Sequence, residues 1–398
     1  MPNLIVGQSG GCTAVLNATL AGVIDEALRQ PAVGGIYGML NGVQGLLDGD
    51  VVDLRAETPG TLASLGTTPS AALGSCRFKP DDEQLEQILE RLRRLDVRWF
   101  LYAGGNDSAD TSARLDQLAR RRGYELFVIG LPKTIDNDLP CTDHCPGYGS
   151  VARYLAVSVR EAGLDTEAMR RFDPVKIIEV MGRDAGWLAA GSALGKQADE
   201  DAPHLIYFPE RHLDVERFLD EVQSVYDRLG YVVAVVPERI TDPSGNVVAR
   251  SAEPTFVDAF GHGYFESPAV YLVQEVQGRL GLRARFDKPG TLQRMSMPLA
   301  SRIDIEEAYM VGRAGVRHAI AGESGCMVTL VRQAGAGYSC TTGLAPLSAV
   351  ANSVKLMPPE FINPDGNFVT QAFVEYALPL IGEPLPVYAR LAKHRVLA

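Results

Sequence analysis

The chain has 398 residues, of which 46% are hydrophobic and 22% are charged, values typical of a globular protein that buries a large core. It carries 38 basic and 49 acidic residues, and the formal net charge of −11 argues against nucleic-acid or anionic-membrane partners. The N-terminus lacks a basic segment followed by a long apolar run, and no 18-residue apolar stretch occurs. We therefore expect a cytoplasmic protein without a signal peptide or a membrane-spanning helix.

The first predicted unit is a strand, a glycine-rich turn and a helix. Residues 4–6 predict a short buried strand, G-Q-S-G-G-C-T-A-V-L-N follows at 7–17, and residues 18–28 have helical apolar spacing. This layout directs backbone N–H groups at a phosphate, although it matches neither G-x-G-x-x-G nor a Walker loop. The alternative is a plain strand-to-helix turn.

The next segments are rich in glycine, serine and threonine. Residues 36–38 predict a strand, and the glycine-rich residues 41–50 predict a loop. Residues 58–79 end in Arg77 and Lys79, two cations that are able to meet a polyphosphate. The alternative is a flexible surface loop with incidental charges.

A second glycine turn follows. Residues 81–95 predict an amphipathic helix and residues 99–103 a buried strand, after which Gly104 and Gly105 lead into another helix. That helix begins with Asn106, Asp107 and Ser108. These side chains are suited either to capping the helix or, in a phosphate site, to holding magnesium, which prefers oxygen ligands.

The densest group of polar residues follows the next strand. Residues 126–129 predict that strand, Gly130 is expected to end it, and L-P-K-T-I-D-N-D-L occupies residues 131–139. This segment combines a lysine, a threonine, an amide and two carboxylates behind a proline. Ligands of open α/β sheets bind at the carboxyl ends of strands, so this density predicts a site. A surface loop that carries these residues for solubility is the alternative.

The second half repeats the alternation of strands and helices. Helices are predicted at 148–168, 215–229, 268–280 and 306–321, and strands at 175–180, 205–208, 231–236, 284–286 and 327–331. Arg183 and Glu238 lie just past strand ends, although Arg183 equally fits a surface position at a helix start. The proline-rich remainder predicts loops and a terminal extension. Repeated strand–turn–helix units predict parallel sheets with right-handed crossovers, in two α/β domains that face each other across a cleft.

These polar groups fit the transfer of a phosphoryl group. A donor seated on the glycine pairs 10–11 and 104–105 requires a base for the acceptor hydroxyl, and the candidates are Asp136 and Asp138. Candidate oxygen ligands for a metal ion are Asn106, Asp107 and Asp136. Candidates for stabilising the migrating charge are Lys133, Thr134 and Arg183. For the acceptor, Arg285 and Arg294 suit a phosphate, and Glu238 suits a sugar hydroxyl.

Seven short motifs resemble those of the phosphofructokinase family in order and spacing. They are S-G-G at 9–11, G-S-C-R at 74–77, G-G-N-D-S at 104–108, P-K-T-I-D-N-D at 132–138, M-G-R-D-A-G-W at 181–187, V-P-E at 236–238 and L-Q-R at 292–294. The resemblance implies the phosphofructokinase fold, with two facing Rossmann-like, three-layer α/β/α domains and mainly parallel sheets. It also implies transfer of a phosphoryl group to O1 of fructose 6-phosphate with Mg²⁺. Because a neighbouring subunit commonly completes the family's sugar site, it further implies a homodimer or homotetramer.

The resemblance also implies roles for single residues. Asp136 is the expected general base and Asp138 assists it, while Thr134 and Arg183 stabilise the transferring group, for which Lys133 remains a candidate. The expected donor-binding residues are Gly11, Arg77, Gly105, Asp107, Ser108 and Lys133. The expected sugar-phosphate residues are Thr134, Met181, Gly182, Arg183, Glu238, Arg285 and Arg294. We accordingly predict a donor-binding domain at 1–145, on which part of the C-terminal region packs, a sugar-phosphate domain at 146–325, and a C-terminal strand, loops and extension at 326–398.

Two positions indicate which donor is used. ATP-using members of the family have glycine where this chain has Asp107 and Lys133, and both substitutions are features of the pyrophosphate-dependent branch. We therefore predict a reversible, pyrophosphate-dependent phosphorylation of fructose 6-phosphate. The alternatives are an ATP-dependent 6-phosphofructokinase and a non-catalytic regulator that binds sugar phosphate. Asn106 replaces the family's usual magnesium-binding aspartate, which leaves the ligand set of the metal open.

Overall fold

A computed structural model describes residues 1–251, 253–257, 263–335, 337–392 and 394, with only the backbone of residues 263–264. Within these residues the strands are β1 (Asn3–Gln8), β2 (Ile36–Met39), β3 (Val51–Asp53), β4 (Val97–Gly104), β5 (Phe127–Pro132), β6 (Val175–Val180), β7 (Leu205–Ile206), β8 (Val232–Pro237), β9 (Phe256–Val257), β10 (Gly263–Tyr264), β11 (Ala284–Asp287), β12 (Cys326–Arg332) and β13 (Cys340–Pro346). The last residues of the predicted extension, 395–398, lie outside the described residues.

The α-helices in the described residues alternate with these strands. They are α1 (Leu16–Leu28), α2 (Gly42–Asp48), α3 (Pro59–Leu65), α4 (Asp82–Arg94), α5 (Asn106–Arg121), α6 (Tyr148–Met169), α7 (Trp187–Gly191), α8 (Val215–Leu229), α9 (Pro268–Glu275), α10 (Leu292–Met295), α11 (Arg302–Ile320), α12 (Leu347–Val350) and α13 (Gln371–Ala377). Across the parts of the chain that the structure covers, no helix combines the length and apolar character needed to cross a membrane.

The first sheet has seven strands in the order β13-β12-β5-β4-β1-β2-β3. Its inner neighbours run parallel, and only the edge strands β13 and β3 pair antiparallel. Alternate residues of β4 face opposite layers: Phe100 packs in one apolar cluster with α4 and α5, and Leu101 packs in another with α1 and α11. The sheet is therefore the middle layer of an α/β/α sandwich, as predicted.

The second sheet has four parallel strands in the order β11-β6-β8-β7. Val233 and Val235 of β8 join an apolar cluster with α6 and α7, whereas Ala234 and Val236 join a cluster with α8 and α9. This alternation again places the sheet between two helical layers. The two sheets confirm the predicted fold class.

The chain returns to the first sheet after it has built the second. Helix α11 lies against α1 and β5, and β12 then pairs with β5. The contact between α1 and α11 is close because both helices present glycine: a Cβ atom on Gly22 would collide with the carbonyl oxygen of Tyr309, and one on Gly312 with that of Thr19. The predicted boundaries at 145 and 325 stay a prediction.

Three local predictions are wrong. Strand β5 does not end at Gly130, which pairs with Tyr102 and Met327; a Cβ atom there would lie 2.9 Å from Cδ2 of Leu347, so close packing explains this glycine. The predicted loop at 41–50 contains α2, because Val43 and Leu46 are buried in the core. The C-terminal region contains β13, α12 and α13 in addition to loops.

Candidate active site

A cleft lies at the carboxyl ends of β1, β4, β5 and β6, where the sequence concentrates polar side chains. Its lining residues are Ser9, Gly10, Gly11, Arg77, Gly105, Asn106, Asp107, Ser108, Lys133, Thr134, Asp136, Asp138, Arg183, Asp184, Ala185 and Val354. The lining includes every predicted catalytic residue, every predicted donor residue and the three predicted metal ligands. The two glycine turns and the polar segment at 131–139 come together because β1, β4 and β5 are neighbours in the first sheet.

The two glycine turns support each other at the start of α5. Gly10 has a φ of +75°, a left-handed conformation that favours glycine, and its N–H donates to the carbonyl oxygen of Cys76 at 3.0 Å. The Ser108 hydroxyl donates to the Ser9 hydroxyl at 2.9 Å. At the first residue of α5, Oδ1 of Asn106 accepts from the N–H of Asp107 at 2.8 Å. Backbone N–H groups at this helix start are oriented to bind an anion.

Lys133 connects the glycine turns to the end of β5. Its Nζ donates to the carbonyl oxygen of Gly11 at 2.7 Å, and its backbone N–H donates to the carbonyl oxygen of Gly104 at 3.1 Å. The side chain is only 4% exposed. Burial lowers the pKa of Lys133 to about 8, and the charges of Arg294 and Arg77 act in the same direction.

The two carboxylates of the 131–139 segment both face the cleft. Between them, Asn137 adopts a left-handed conformation with a φ of +53° and is fully buried. Its amide donates to the hydroxyl of Tyr376 at 2.9 Å, and its side-chain oxygen accepts from the N–H of Cys145 at 3.0 Å. These contacts fix the turn that presents Asp136 and Asp138.

Both carboxyl groups have raised pKa values. Burial is the main cause for Asp136, and the charges of Asp138 and Glu238 add to it, so that its pKa rises to about 8 although Arg183 acts in the opposite direction. Burial also raises the pKa of Asp138, against a hydrogen bond from the Thr134 hydroxyl. The Thr134 hydroxyl also accepts from the N–H of Asp136 at 3.1 Å. A carboxyl group of high pKa in a cleft is suited to proton transfer near neutral pH.

The ends of β6 and β8 supply the residues predicted for the sugar. The N–H of Met181 donates to Oε1 of Gln293 at 3.3 Å, and Gly182 has a φ of +107°. The N–H of Gly182 donates to the carboxylate of Glu238, whose pKa is raised mainly by burial. Arg183 lies with its Nε 3.4 Å from Oδ2 of Asp184, and its charge acts on both Asp136 and Glu238.

The two arginines predicted to bind the sugar phosphate lie in different places. Arg294 contacts the glycine turn, because Gly11 lacks a Cβ atom that would collide with its Nη1, and its charge also acts on Lys133. Arg285 forms an ion pair with Asp173 at 2.7 Å. Asp173 lies just before the start of β6, whereas the cleft lies at the carboxyl end of that strand. Arg285, which is paired with Asp173, therefore lies about 13 Å from this chain's cleft, measured along the strand.

Four lining residues were not predicted as site residues. Ser9 belongs to the first glycine turn, and Asp184 and Ala185 continue the M-G-R-D-A-G-W motif, so their neighbours in the sequence indicate them. Val354 comes from a proline-flanked C-terminal segment in which no pattern indicates a site.

Asn106, Asp107 and Asp136 fit a magnesium ion as oxygen donors that face one cleft. The residues covered by the structure contain no group of three or more His, Cys, Asp or Glu side chains that is able to hold a metal ion. Oxygen donors of this kind suit Mg²⁺, which is usually held by one or two carboxylates, water and substrate phosphates.

Comparisons with known proteins agree with this geometry. The family model described as phosphofructokinase matches residues 3–316. The pyrophosphate–fructose 6-phosphate 1-phosphotransferase of Xanthomonas campestris is 44% identical over 391 residues, with 97% of this chain and 93% of the relative covered. The crystal structure titled pyrophosphate-dependent phosphofructokinase from Nitrosospira multiformis superposes with a TM-score of 0.88 at 40% identity, with 97% and 94% of the two chains covered. The corresponding protein from Marinobacter aquaeolei gives a TM-score of 0.86 at 39% identity, with 98% and 94% covered. The predicted resemblance is thus confirmed, and this chain belongs to the phosphofructokinase family.

Proposed function

We propose that this protein transfers a phosphoryl group from pyrophosphate to O1 of fructose 6-phosphate, giving fructose 1,6-bisphosphate and phosphate in a reversible reaction. The observation that carries this proposal is the position of Lys133, which is buried with its Nζ 2.7 Å from the carbonyl oxygen of Gly11. Asp107, at the start of α5, lines the same cleft. The carboxylate of Asp107 crowds and repels the α-phosphate of a nucleotide, whereas Lys133 occupies nearby space and supplies a cation for a small, highly charged donor. The names of the relatives support this donor.

The acceptor hydroxyl loses its proton to Asp136. The backbone of Asp136 is fixed by the hydrogen bond from its own N–H to the Thr134 hydroxyl. Asp138 lies two residues further on and keeps a negative potential beside Asp136 that favours proton uptake. As charge develops on the migrating group, Arg183 and Lys133 are the cations placed to stabilise it. This mechanism relies on positioning and electrostatics and needs no covalent intermediate.

The donor site combines backbone and side-chain groups of the first sheet. Gly11, Gly105 and Ser108 contribute turns and a helix start, and Arg77 contributes a cation. We infer that Mg²⁺ is held by Asn106, Asp107 and Asp136, and when bound it neutralises phosphate charge.

The sugar phosphate is bound at the ends of β6 and β8. Met181, Gly182 and Glu238 form the side of the site that holds the sugar, and Arg294 extends over the glycine turn from α10. Arg285 lies at the far end of its strand from this cleft, paired with Asp173. It is therefore suited to reach the sugar phosphate of a second copy, which supports a homodimer or homotetramer with shared sites.

The decisive experiment measures turnover of fructose 6-phosphate with pyrophosphate and with ATP, and the reverse reaction with phosphate and fructose 1,6-bisphosphate, each with Mg²⁺. We expect turnover in both directions with pyrophosphate and at least about 100-fold lower kcat/KM with ATP, a difference of about 3 kcal/mol. Turnover with ATP alone would instead identify an ATP-dependent 6-phosphofructokinase. Binding of fructose 6-phosphate without turnover from either donor would identify a regulator.

A further inference from the structure

A carboxylate outside the cleft supports two of the segments that line it. One is the M-G-R-D-A-G-W turn at 181–187, which carries Arg183, and the other is a C-terminal segment at 352–357, which carries Val354. We propose that Glu210 is a positioning residue for phosphoryl transfer: its carboxylate fixes both segments at the edge of the cleft and so sets the place from which Arg183 acts. This inference rests on the phosphoryl transfer proposed above.

The carboxylate of Glu210 accepts hydrogen bonds from both segments. The N–H of Gly186 lies 3.0 Å from its Oε1 and 3.1 Å from its Oε2. The N–H of Met357 donates to Oε1 at 2.9 Å. Met357 is only 2% exposed, so water has little access to replace the carboxylate there. A buried N–H group that loses its acceptor is costly, and both segments therefore depend on this side chain.

The turn is seated closely against the residues that follow β7. Phe208 and Glu210 come shortly after that strand, and the N–H of Arg211 donates to the carbonyl oxygen of Phe208 at 3.1 Å. A Cβ atom on Gly186 would lie 2.7 Å from Oε2 of Glu210 and 2.9 Å from Cδ1 of Phe208. Glycine at this position therefore allows the carboxylate to approach the backbone directly.

The turn that carries Arg183 is held at both of its ends. At its start, the N–H of Gly182 donates to the carboxylate of Glu238. At its other end, the N–H of Gly186 donates to Glu210. The residues between these two anchors all line the cleft: Arg183, Asp184 and Ala185. Loss of the second anchor leaves Arg183 on a turn that is fixed on one side only.

The C-terminal segment extends the effect of Glu210 to the other side of the cleft. The N–H of Lys355 donates to the carbonyl oxygen of Asp138 at 2.7 Å, and its carbonyl oxygen accepts from Nε1 of Trp187 at 3.1 Å. Two residues later, Met357 reaches Glu210. One carboxylate therefore fixes the turn and this segment relative to each other, and transfer between a donor and an acceptor requires such fixed geometry.

Three substitutions separate the geometry of the carboxylate from its charge. Glu210→Gln keeps an acceptor oxygen in place and removes the charge, Glu210→Asp keeps the charge and withdraws the oxygens by one methylene group, and Glu210→Ala removes the acceptor. With pyrophosphate, fructose 6-phosphate and Mg²⁺, we expect Glu210→Gln to keep kcat within about 3-fold of wild type, and Glu210→Asp and Glu210→Ala to lower it by about 10-fold or more. KM for pyrophosphate should change by less than about 3-fold in all three, because neither Gly186 nor Met357 belongs to the donor turns.

Asp214 provides a matched control. Its Oδ1 also accepts from two backbone N–H groups, those of Glu216 at 2.9 Å and Arg217 at 3.4 Å, but these residues begin α8 and do not line the cleft. Asp214→Ala should lower the melting temperature and keep kcat within about 2-fold. A kcat of Glu210→Gln no higher than that of Glu210→Asp would overturn the proposal, as would a wild-type kcat in Glu210→Ala.

Amide hydrogen exchange tests the position of Glu210 without turnover. In Glu210→Ala, or in Glu210→Asp if the first variant does not fold, exchange should be about 10-fold or more faster in peptides that cover 183–187 and 355–358, because the N–H groups of Gly186 and Met357 lose their acceptor. Asp214→Ala should leave both peptides unchanged. A wild-type protein without turnover from either donor would refute the proposed function. The inference about Glu210 would then be supported by faster exchange in both peptides and overturned by unchanged exchange in either.

Discussion

Asp136→Asn should stabilise the protein while it abolishes catalysis. Burial and like charges raise the pKa of Asp136 from 3.8 to about 8. A pKa difference of roughly 4, at about 1.36 kcal/mol per unit, gives an upper bound of about 5–6 kcal/mol for the destabilisation caused by the ionised carboxylate. Because this carboxyl group lines an open cleft, water screens much of that cost, and we expect about 2 kcal/mol of stabilisation. With an unfolding entropy of about 2.1 cal/mol/K per residue, this raises the melting temperature by about 2–3 °C.

The pH dependence fixes the sign of this effect. Above pH 3.8 the unfolded chain releases the proton of Asp136, whereas the folded chain keeps it up to about pH 8. Below about pH 4 the wild type therefore loses no stability relative to Asp136→Asn. Its relative stability falls as the pH rises from about 4 to about 8, and it stays constant at higher pH. Calorimetry of both proteins at pH 5 and pH 9 measures the difference, and assays at pH 8 should show kcat reduced by about 1,000-fold.

Asp304 is the matched control for this prediction. It is also a buried carboxyl group with a pKa raised by burial, but it accepts hydrogen bonds from the N–H of Gly147 at 2.8 Å and from the N–H of Ser150 at 2.9 Å. Asp304→Asn should therefore lower stability by about 1–3 kcal/mol, because one donor then faces an NH₂ group. A melting temperature of Asp136→Asn below that of wild type at pH 9 would refute the assigned burial cost.

Three further predictions test other parts of the molecule. Combined Asp107→Gly and Lys133→Gly should raise kcat/KM for ATP by about 10-fold or more and lower that for pyrophosphate, since a charge that lines the cleft is worth about 1–2 kcal/mol. An unchanged donor ratio in coupled assays would contradict the steric and electrostatic argument. For wild type, kcat/KM for pyrophosphate should peak near pH 8, because Asp136 must be ionised and Lys133 must be protonated, and each has a pKa of about 8. In Lys133→Met the plot of kcat/KM against pH should lose its alkaline limb. Gly312→Ala should destabilise the fold by about 2–3 kcal/mol in urea titrations, because its Cβ would collide with the carbonyl oxygen of Thr19; an unaltered midpoint would show that α1 and α11 separate at low cost.

Much of the cleft lining could be predicted from residues that lie close together in the chain. Strand ends and glycine turns are local patterns, and the structure brings Gly11, Asp107 and four residues of the 131–139 segment to one cleft, while their roles stay predictions. The bond from Lys133 to Gly11 spans 122 residues and depends on the order of β1, β4 and β5, which no local pattern specifies. Gly130 was misread as a strand end because glycine signals a turn and a close packing contact equally well.

The arginines and the C-terminal region show a second limit. Arg285 and Arg294 flank one turn in the sequence, yet the register of β11 with β6 sets Arg285 against the far end of the sheet. Lys355 and Tyr376 lie among prolines without apolar periodicity, so nothing local distinguishes them from a surface extension. Both residues form hydrogen bonds to the segment of Asn137 and Asp138, more than 200 residues away in the chain.

The 131–139 segment is thus held from two independent directions. On one side Lys133 ties it to the glycine turn, within the region that the family model matches. On the other, Tyr376 binds Asn137 and Lys355 binds the carbonyl oxygen of Asp138, both from beyond residue 316. Changes on the first side alter the donor site directly, whereas changes on the second alter the base while the donor turns stay in place. C-terminal substitutions should therefore change kcat and its pH profile more than the KM for the donor.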